Sequence, residues 1–364
     1  MKNLIILCLL VSFNAFADEL RMSAQEAKSL GYLPVVKTKN KLKAINALKA
    51  LAKHGMPWPV AFQDATHTIG NSMAQYQEYG DGEPYWHGGD DLRTARKAWV
   101  TAPTGGKLYG GHYSYVNNDD GSAVKHMLPW PQVGRAMYFE INITTEDGNR
   151  LEFHHVDRNT LTPEVIELLN RGGGPIAAGA RLGQVIEWPM EKPMGETYHH
   201  IHYNIITSEE KELNPEWFSP LVPDTTAPRI QGVYGRYGQR FEKITENTVL
   251  TRRPDELIVA SSDQKDGNAY IQPTDYVALV SNNQTTVLWD LRERLLTPAG
   301  TYPAIRQSFQ ETMRTSERTI RTQGNYNNDF FLMRLNVPAT ARAGVELLLK
   351  DQAGNTSFFR FSLP

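Results

Sequence analysis

The 364 residues predict a mainly-β fold, antiparallel sheet first and β-sandwich second, with a short helical region at the start. Three observations carry this. Two alternating runs, residues 136–143 and 150–156, flank Glu146-Asp-Gly-Asn149, a hairpin-turn signal. Residues 201–206 alternate as a strand, with Ile201, Tyr203 and Ile205 on one face and His200, His202 and Asn204 on the other. Beyond the Pro-rich stretch 220–228, short alternating segments recur at 230–237, 256–260, 276–280, 285–289, 330–335, 345–349 and 357–361, the pattern of a sandwich.

From the N-terminus, Lys2, the apolar run 4–11 and Ala15-Phe-Ala17 read as a secretory signal cleaved after Ala17. The apolar run is too short to span a bilayer. Cys8, the only cysteine, lies inside it, so the mature chain is expected to have no disulfides and no thiolate ligands. Residues 18–60 read as a helical segment. Ser23-Ala-Gln-Glu26 makes a capping box, and a second helix is expected over 41–53, its lysines a solvated face. Residues 61–222 read as strands and turns, with Arg171-Gly-Gly-Gly174, 189–195 and a long stretch from about 110 to 131, containing Asp119-Asp-Gly121, as loops. Residues 226–364 form the sandwich, whose last turn is Asp351-Gln-Ala-Gly-Asn355. A formal net charge of −2, with 21% charged residues, gives no reason to expect nucleic-acid or membrane-surface binding.

The chemistry is concentrated in three clusters: His87-Gly-Gly-Asp-Asp91, His154-His155 and His200-Ile-His202. Strand parity puts His200 and His202 on one polar face, where burial is costly unless they are paired or metal-bound. His87 and Asp91 share a face if the strand bends, which Gly88 and Gly89 permit; Asp90 falls on the other face. Alone, that spacing also describes a surface loop rich in His, Gly and Asp. Periodicity does not choose between His154 and His155. His112 and His126 sit in the long loop without an assigned role, and His54, His67 and His199 read as structural. With no thiolates, a zinc ion would need His and carboxylate ligands, three of them in a catalytic site plus a water.

Together the clusters resemble the lysostaphin/LytM-type zinc metalloendopeptidases of bacterial cell walls. The family's first motif matches His87 to Asp91, followed by Ala102-Pro-Thr-Gly-Gly-Lys-Leu108. Its later motifs match Phe153-His-His155-Val156, Ile176-Ala-Ala-Gly179-Ala-Arg-Leu-Gly183 and His200-Ile-His202-Tyr-Asn204. Order and spacing agree across roughly residues 65–220. The resemblance implies His87, Asp91 and His202 as ligands of Zn2+, and His155, rather than His154, with His200 as the catalytic pair. Two departures stand out: Asn204 replaces the family's Glu, and residues 110–137 look inserted. The final turn resembles the D-x-A-G-N turn of bacterial immunoglobulin-like modules.

The expectation is an exported, periplasmic or secreted, hydrolase of peptidoglycan stem or cross-link peptides. Zinc would activate water, and His155 and His200 would share base or proton-relay duty, one of them also stabilising the oxyanion, with the sequence leaving open which does which. Peptidoglycan is the expected partner, with no nucleic acid and no membrane span after signal cleavage; the C-terminal domain is a candidate surface for a regulatory protein. Two other classes fit the same sequence: a non-catalytic LytM-like wall-binding or regulatory protein, and an exported metallopeptidase acting on proteins. Bound zinc on the purified protein separates the first of these from an enzyme.

Overall fold

The computed structural model describes residues 21–34, 55–64, 68–78, 84–117, 123–187, 198–208, 212–291, 305–322 and 330–364. The segment read as a signal, with Cys8, the helix expected over 41–53, His54, His67, Asp119-Asp-Gly121 and the loop expected over 189–195 lie outside these residues. The described chain is mainly β, 46% strand against 10% helix, in several antiparallel sheets. No helix among the described residues is long and apolar enough to cross a membrane.

The larger sheet is built around the predicted hairpin. Phe139–Thr144 pairs with Arg150–His154, and the latter pairs with His200–Ile206. Alternation then sorts the side chains. Ile141, Ile143, Leu151, Phe153, Ile201, Tyr203 and Ile205, all fully buried, form one apolar face, and the rings of Phe153 and Tyr203 stack at 5.3 Å. The opposite face carries a polar row formed by direct cross-strand neighbours: Asp91, His202, His154 and Glu140. Burying that apolar face supplies the driving force, and it also fixes register, because a one-residue slip would exchange the two faces.

Two expectations are corrected here. The stretch read as a loop from 110 to 131 is a long antiparallel hairpin, Gly106–Asn117 with Ala123–Pro129, so His112 and His126 lie on strands. Its alternation is carried by tyrosines and histidines rather than aliphatic residues, which obscures it in a hydrophobic count. The region read only as strands and turns also contains a helix, Pro163–Asn170. Thr162 caps it by accepting from the Val165 N–H, and Pro163 opens its first turn, a start signal present in the sequence. At the N-terminus, Ala24–Ser29 is helical with the Ser23 cap in place, and Arg21–Ser23 adds a parallel strand to the Gly106–Asn117 strand.

All seven strands expected in the C-terminal half are present, arranged with an eighth, Arg240–Ile244, as two four-stranded sheets. Val233, Leu257, Val259 and Met333 of one sheet share a core with Val277, Leu279, Leu347 and Leu349 of the other. The last turn closes because Asp351 Oδ1 accepts from the Gly354 and Asn355 N–H groups, while Asn355 Nδ2 reaches the Asp224 carbonyl in the linker. Met73, Ala74 and Tyr76, far earlier in the chain, pack into this second core.

Candidate metal centre

Asp91 and His202 stand directly opposite one another on paired strands, Asp90–Arg93 and His200–Ile206. Cross-strand neighbours on one face bring their side chains together without any special loop. His87 joins them because the chain bends at Gly89, whose φ is +61°. A Cβ at Gly89 would lie 2.0 Å from Asn204 Oδ1 and 2.2 Å from the Tyr203 carbonyl oxygen, so only glycine fits this turn. His87 Nε2 is then 3.2 Å and His202 Nδ1 3.0 Å from Asp91 Oδ1. One donor atom from each of the three residues lies within 4.8 Å of the others, so His87, Asp91 and His202 could hold a metal ion. His87 and Asp91 are sealed, and His202, with its side chain 12% exposed, is the open side.

The electrostatics favour the protonation states that a cation needs. Burial alone would raise the Asp91 carboxyl, but the facing His87 and His200 hold it well below the ordinary range. Burial, with His87 beside it, pushes the His202 ring down to about 3, leaving it neutral. Asp91 Oδ2 is occupied by two donors from outside the cluster, Asn71 Nδ2 at 2.7 Å and Tyr198 Oη at 3.1 Å. Asp90 points elsewhere, as parity requires, and its Oδ1 accepts from the Met73 N–H at 2.8 Å.

The remaining histidines divide cleanly. His154 continues the strand alternation and sits opposite His202, ring centroids 5.0 Å apart. His155 does not continue it. Its φ of +65° ends the strand and turns the ring back toward the site, 5.0 Å from the His200 ring and 6.4 Å from that of His202. The structure therefore gathers all five candidates, His87, Asp91, His155, His200 and His202, into one place. His87, His155 and His200 each set Nδ1 against a backbone carbonyl, those of Ser72 (3.1 Å), Met137 (2.6 Å) and Tyr198 (2.9 Å). With Nδ1 as the donor, each ring keeps Nε2 as its basic nitrogen, an assignment that follows from the hydrogen-bond partners.

No protein-family model matches the chain, and no curated protein matches it.

Beside it lies a second buried group that the motif reading passed over: Glu140, Glu152 and His154. Lys125 Nζ sits between the carboxylates, 2.5 Å from Glu140 and 2.7 Å from Glu152, and Arg150 Nε meets Glu152 at 2.6 Å. These side chains already supply the cations, so the group is a neutralised network forming the floor next to His202. Strand parity does place Glu140, Glu152 and His154 on the polar face; only Lys125, brought in by the hairpin, had no local signal. A third group, Asp224, Asp263 and Asp351, lies at the linker. It has no histidine. Asn204 is buried with no partner for Oδ1 among the described residues, and stands opposite Glu152.

Proposed function

We propose that this chain is an exported zinc metalloendopeptidase that hydrolyses peptide bonds of peptidoglycan stems or cross-links. The observation that carries the reading is the juxtaposition of His87, Asp91 and His202, donors within 4.8 Å, with the His155 and His200 rings meeting edge-on alongside, centroids 5.0 Å apart. Two imidazoles and one carboxylate suit zinc, and three protein ligands are the number a catalytic zinc site uses. Zinc held there would supply Lewis acidity, lowering the pKa of a water toward about 7 and polarising a carbonyl.

The proton work falls to the protein. Among the described residues no glutamate of the helical H-E-x-x-H kind is placed at the site, and His155 and His200, with Nδ1 set against a carbonyl, keep Nε2 as the basic nitrogen. His200 Nε2 lies 3.7 Å from Asp91 Oδ1, at the edge of the ligand set, where it can take a proton from water. His155, fixed through Nδ1 to the Met137 carbonyl, can return a proton to the leaving amine or stabilise the oxyanion. Peptidoglycan as substrate rests on the motif resemblance and the signal sequence. The complete five-residue set favours an enzyme over a wall-binding relative that has lost its ligands.

The testing variant is His200→Ala. Zinc content should stay near one ion per chain while cleavage of purified sacculi falls by about 10²–10⁴-fold, the range for a general base. An active His200→Ala protein would refute its role.

A further inference from the structure

We propose that the C-terminal domain is part of the metal centre's support: its 263–272 loop, through Asn268 and Tyr270, positions the carboxylate of Asp91. This rests on the reading of His87, Asp91 and His202 as metal ligands.

The loop leaves the sandwich after the strand Glu256–Ser262 and is tied at its base by paired backbone hydrogen bonds between Asp263 and Gln272, at 2.8 and 2.9 Å. Its tip is directed into the peptidase half. Asn268 Oδ1 accepts from the Tyr270 N–H, which orients the amide, and Nδ2 donates to the Ile69 carbonyl at 2.5 Å and to Thr68 Oγ1 at 3.2 Å. Gln272 Nε2 donates to the same Ile69 carbonyl at 3.3 Å. Residues 68–71 are the backing of the ligand strand: Gly70 N–H donates to the Asp91 carbonyl, the Asp91 N–H to Asn71, and the Arg93 N–H to Thr68. The loop thus grips the segment whose Asn71 side chain holds Asp91 Oδ2.

A second route runs through rings. The Arg93 guanidinium lies over Tyr270, 4.4 Å from its centroid, and 5.5 Å from that of Tyr198. Tyr198 packs 5.4 Å from Tyr270 and 4.4 Å from the His200 ring, and its hydroxyl donates to Asp91 Oδ2. Arg93, Tyr198, Asn268 and Tyr270 are all buried. Gly70 makes room for the Tyr198 hydroxyl, since a Cβ there would come within 1.8 Å of it. With Oδ2 held by Asn71 and Tyr198, Oδ1 is the oxygen left to face His87 and His202. Groups of this kind orient metal ligands, and their loss costs about 10–100-fold in metal affinity.

The test uses the full mature chain and four variants: Tyr270→Leu, Asn268→Ala, Tyr270→Phe and Val233→Ala. Val233 lies in the sandwich core and serves as a control for plain destabilisation. Zinc affinity is read by chelator competition, the ligand field by the visible spectrum of the Co2+ form, and stability by the melting temperature of the metal-free protein. Tyr270→Leu and Asn268→Ala should each weaken zinc binding by about 10-fold or more and shift the Co2+ bands. Tyr270→Phe should restore the parental values, since the ring contact with Arg93 needs no hydroxyl. Val233→Ala should lower the melting temperature and leave affinity and spectrum unchanged. Parental zinc affinity and parental Co2+ bands in Asn268→Ala and Tyr270→Leu would overturn the proposal, as would an equal affinity loss in Val233→Ala. If Tyr270→Leu does not fold, Asn268→Ala against Tyr270→Phe decides. A parent chain that takes up no zinc would instead remove the metal reading itself, and this proposal with it.

Discussion

His155 is placed by a single backbone torsion. At φ +65° it leaves the alternation that His154 obeys, and its ring meets His200 instead of entering the apolar face that parity assigns it. Left-handed backbone at a non-glycine residue is strained by about 1–3 kcal/mol and persists where the surroundings enforce it. Here the His155 N–H donates to the Phe139 carbonyl and the Ile186 N–H to the His155 carbonyl. Gly89 is the complementary case, a glycine on which two neighbours close in. Gly89→Ala should destabilise the chain by at least about 2 kcal/mol, because it combines a positive φ with a backbone clash. Chemical denaturation measures this, and a fully stable Gly89→Ala protein would contradict the described turn. Period-2 reasoning was enough for His200, His202, Asp91 and even Asp90. It failed at His155 because a strand's end is set by backbone geometry that no residue pattern announces. Asn71 and Tyr198, which hold Asp91, come from 20 and 107 residues away and had no local signal.

At the scale of elements, the hairpin Gly106–Asn117 with Ala123–Pro129 builds the site's floor rather than decorating it. It delivers Lys125 between Glu140 and Glu152, and it buries His112 edge-on against Phe139 at 5.1 Å. Burial, with Arg158 nearby, pushes the His112 ring down from 6.5 to about 4. The folded chain therefore resists protonation where the unfolded chain accepts it. Its contribution to stability is complete above pH 6.5 and is lost as pH falls through about 4. His112→Phe should flatten the fall in melting temperature between these pH values, and an unchanged slope would contradict the assignment. The hairpin was hidden in the sequence because its strands are aromatic and polar rather than aliphatic. Strands with ordinary aliphatic alternation, in both halves of the chain, were legible.

Across the whole molecule, the two halves are joined by more than a linker. Met73 and Tyr76 are buried in the sandwich core, and Lys265 of the sandwich meets Glu216 of the other half at 2.7 Å, both side chains almost fully buried. Removing one member of such a pair strands the other charge, so Lys265→Met should cost about 3–5 kcal/mol, part of it recovered by adding Glu216→Gln. A Lys265→Met chain as stable as its parent would show that the pair contributes nothing. The Pro-rich stretch 220–228 marks the boundary in the sequence, but contacts between such distant segments leave no trace in composition. The proposed hydrolysis rests on His87, Asp91 and His202 acting with His155 and His200. Its most direct measurement is mass spectrometry of peptides released from purified sacculi by the mature chain, before chelation, after chelation, and after zinc is restored. Stem- or cross-link-peptide cleavage should disappear with the chelator and return with zinc; products that persist after chelation, or no products at all, would contradict the proposed hydrolysis.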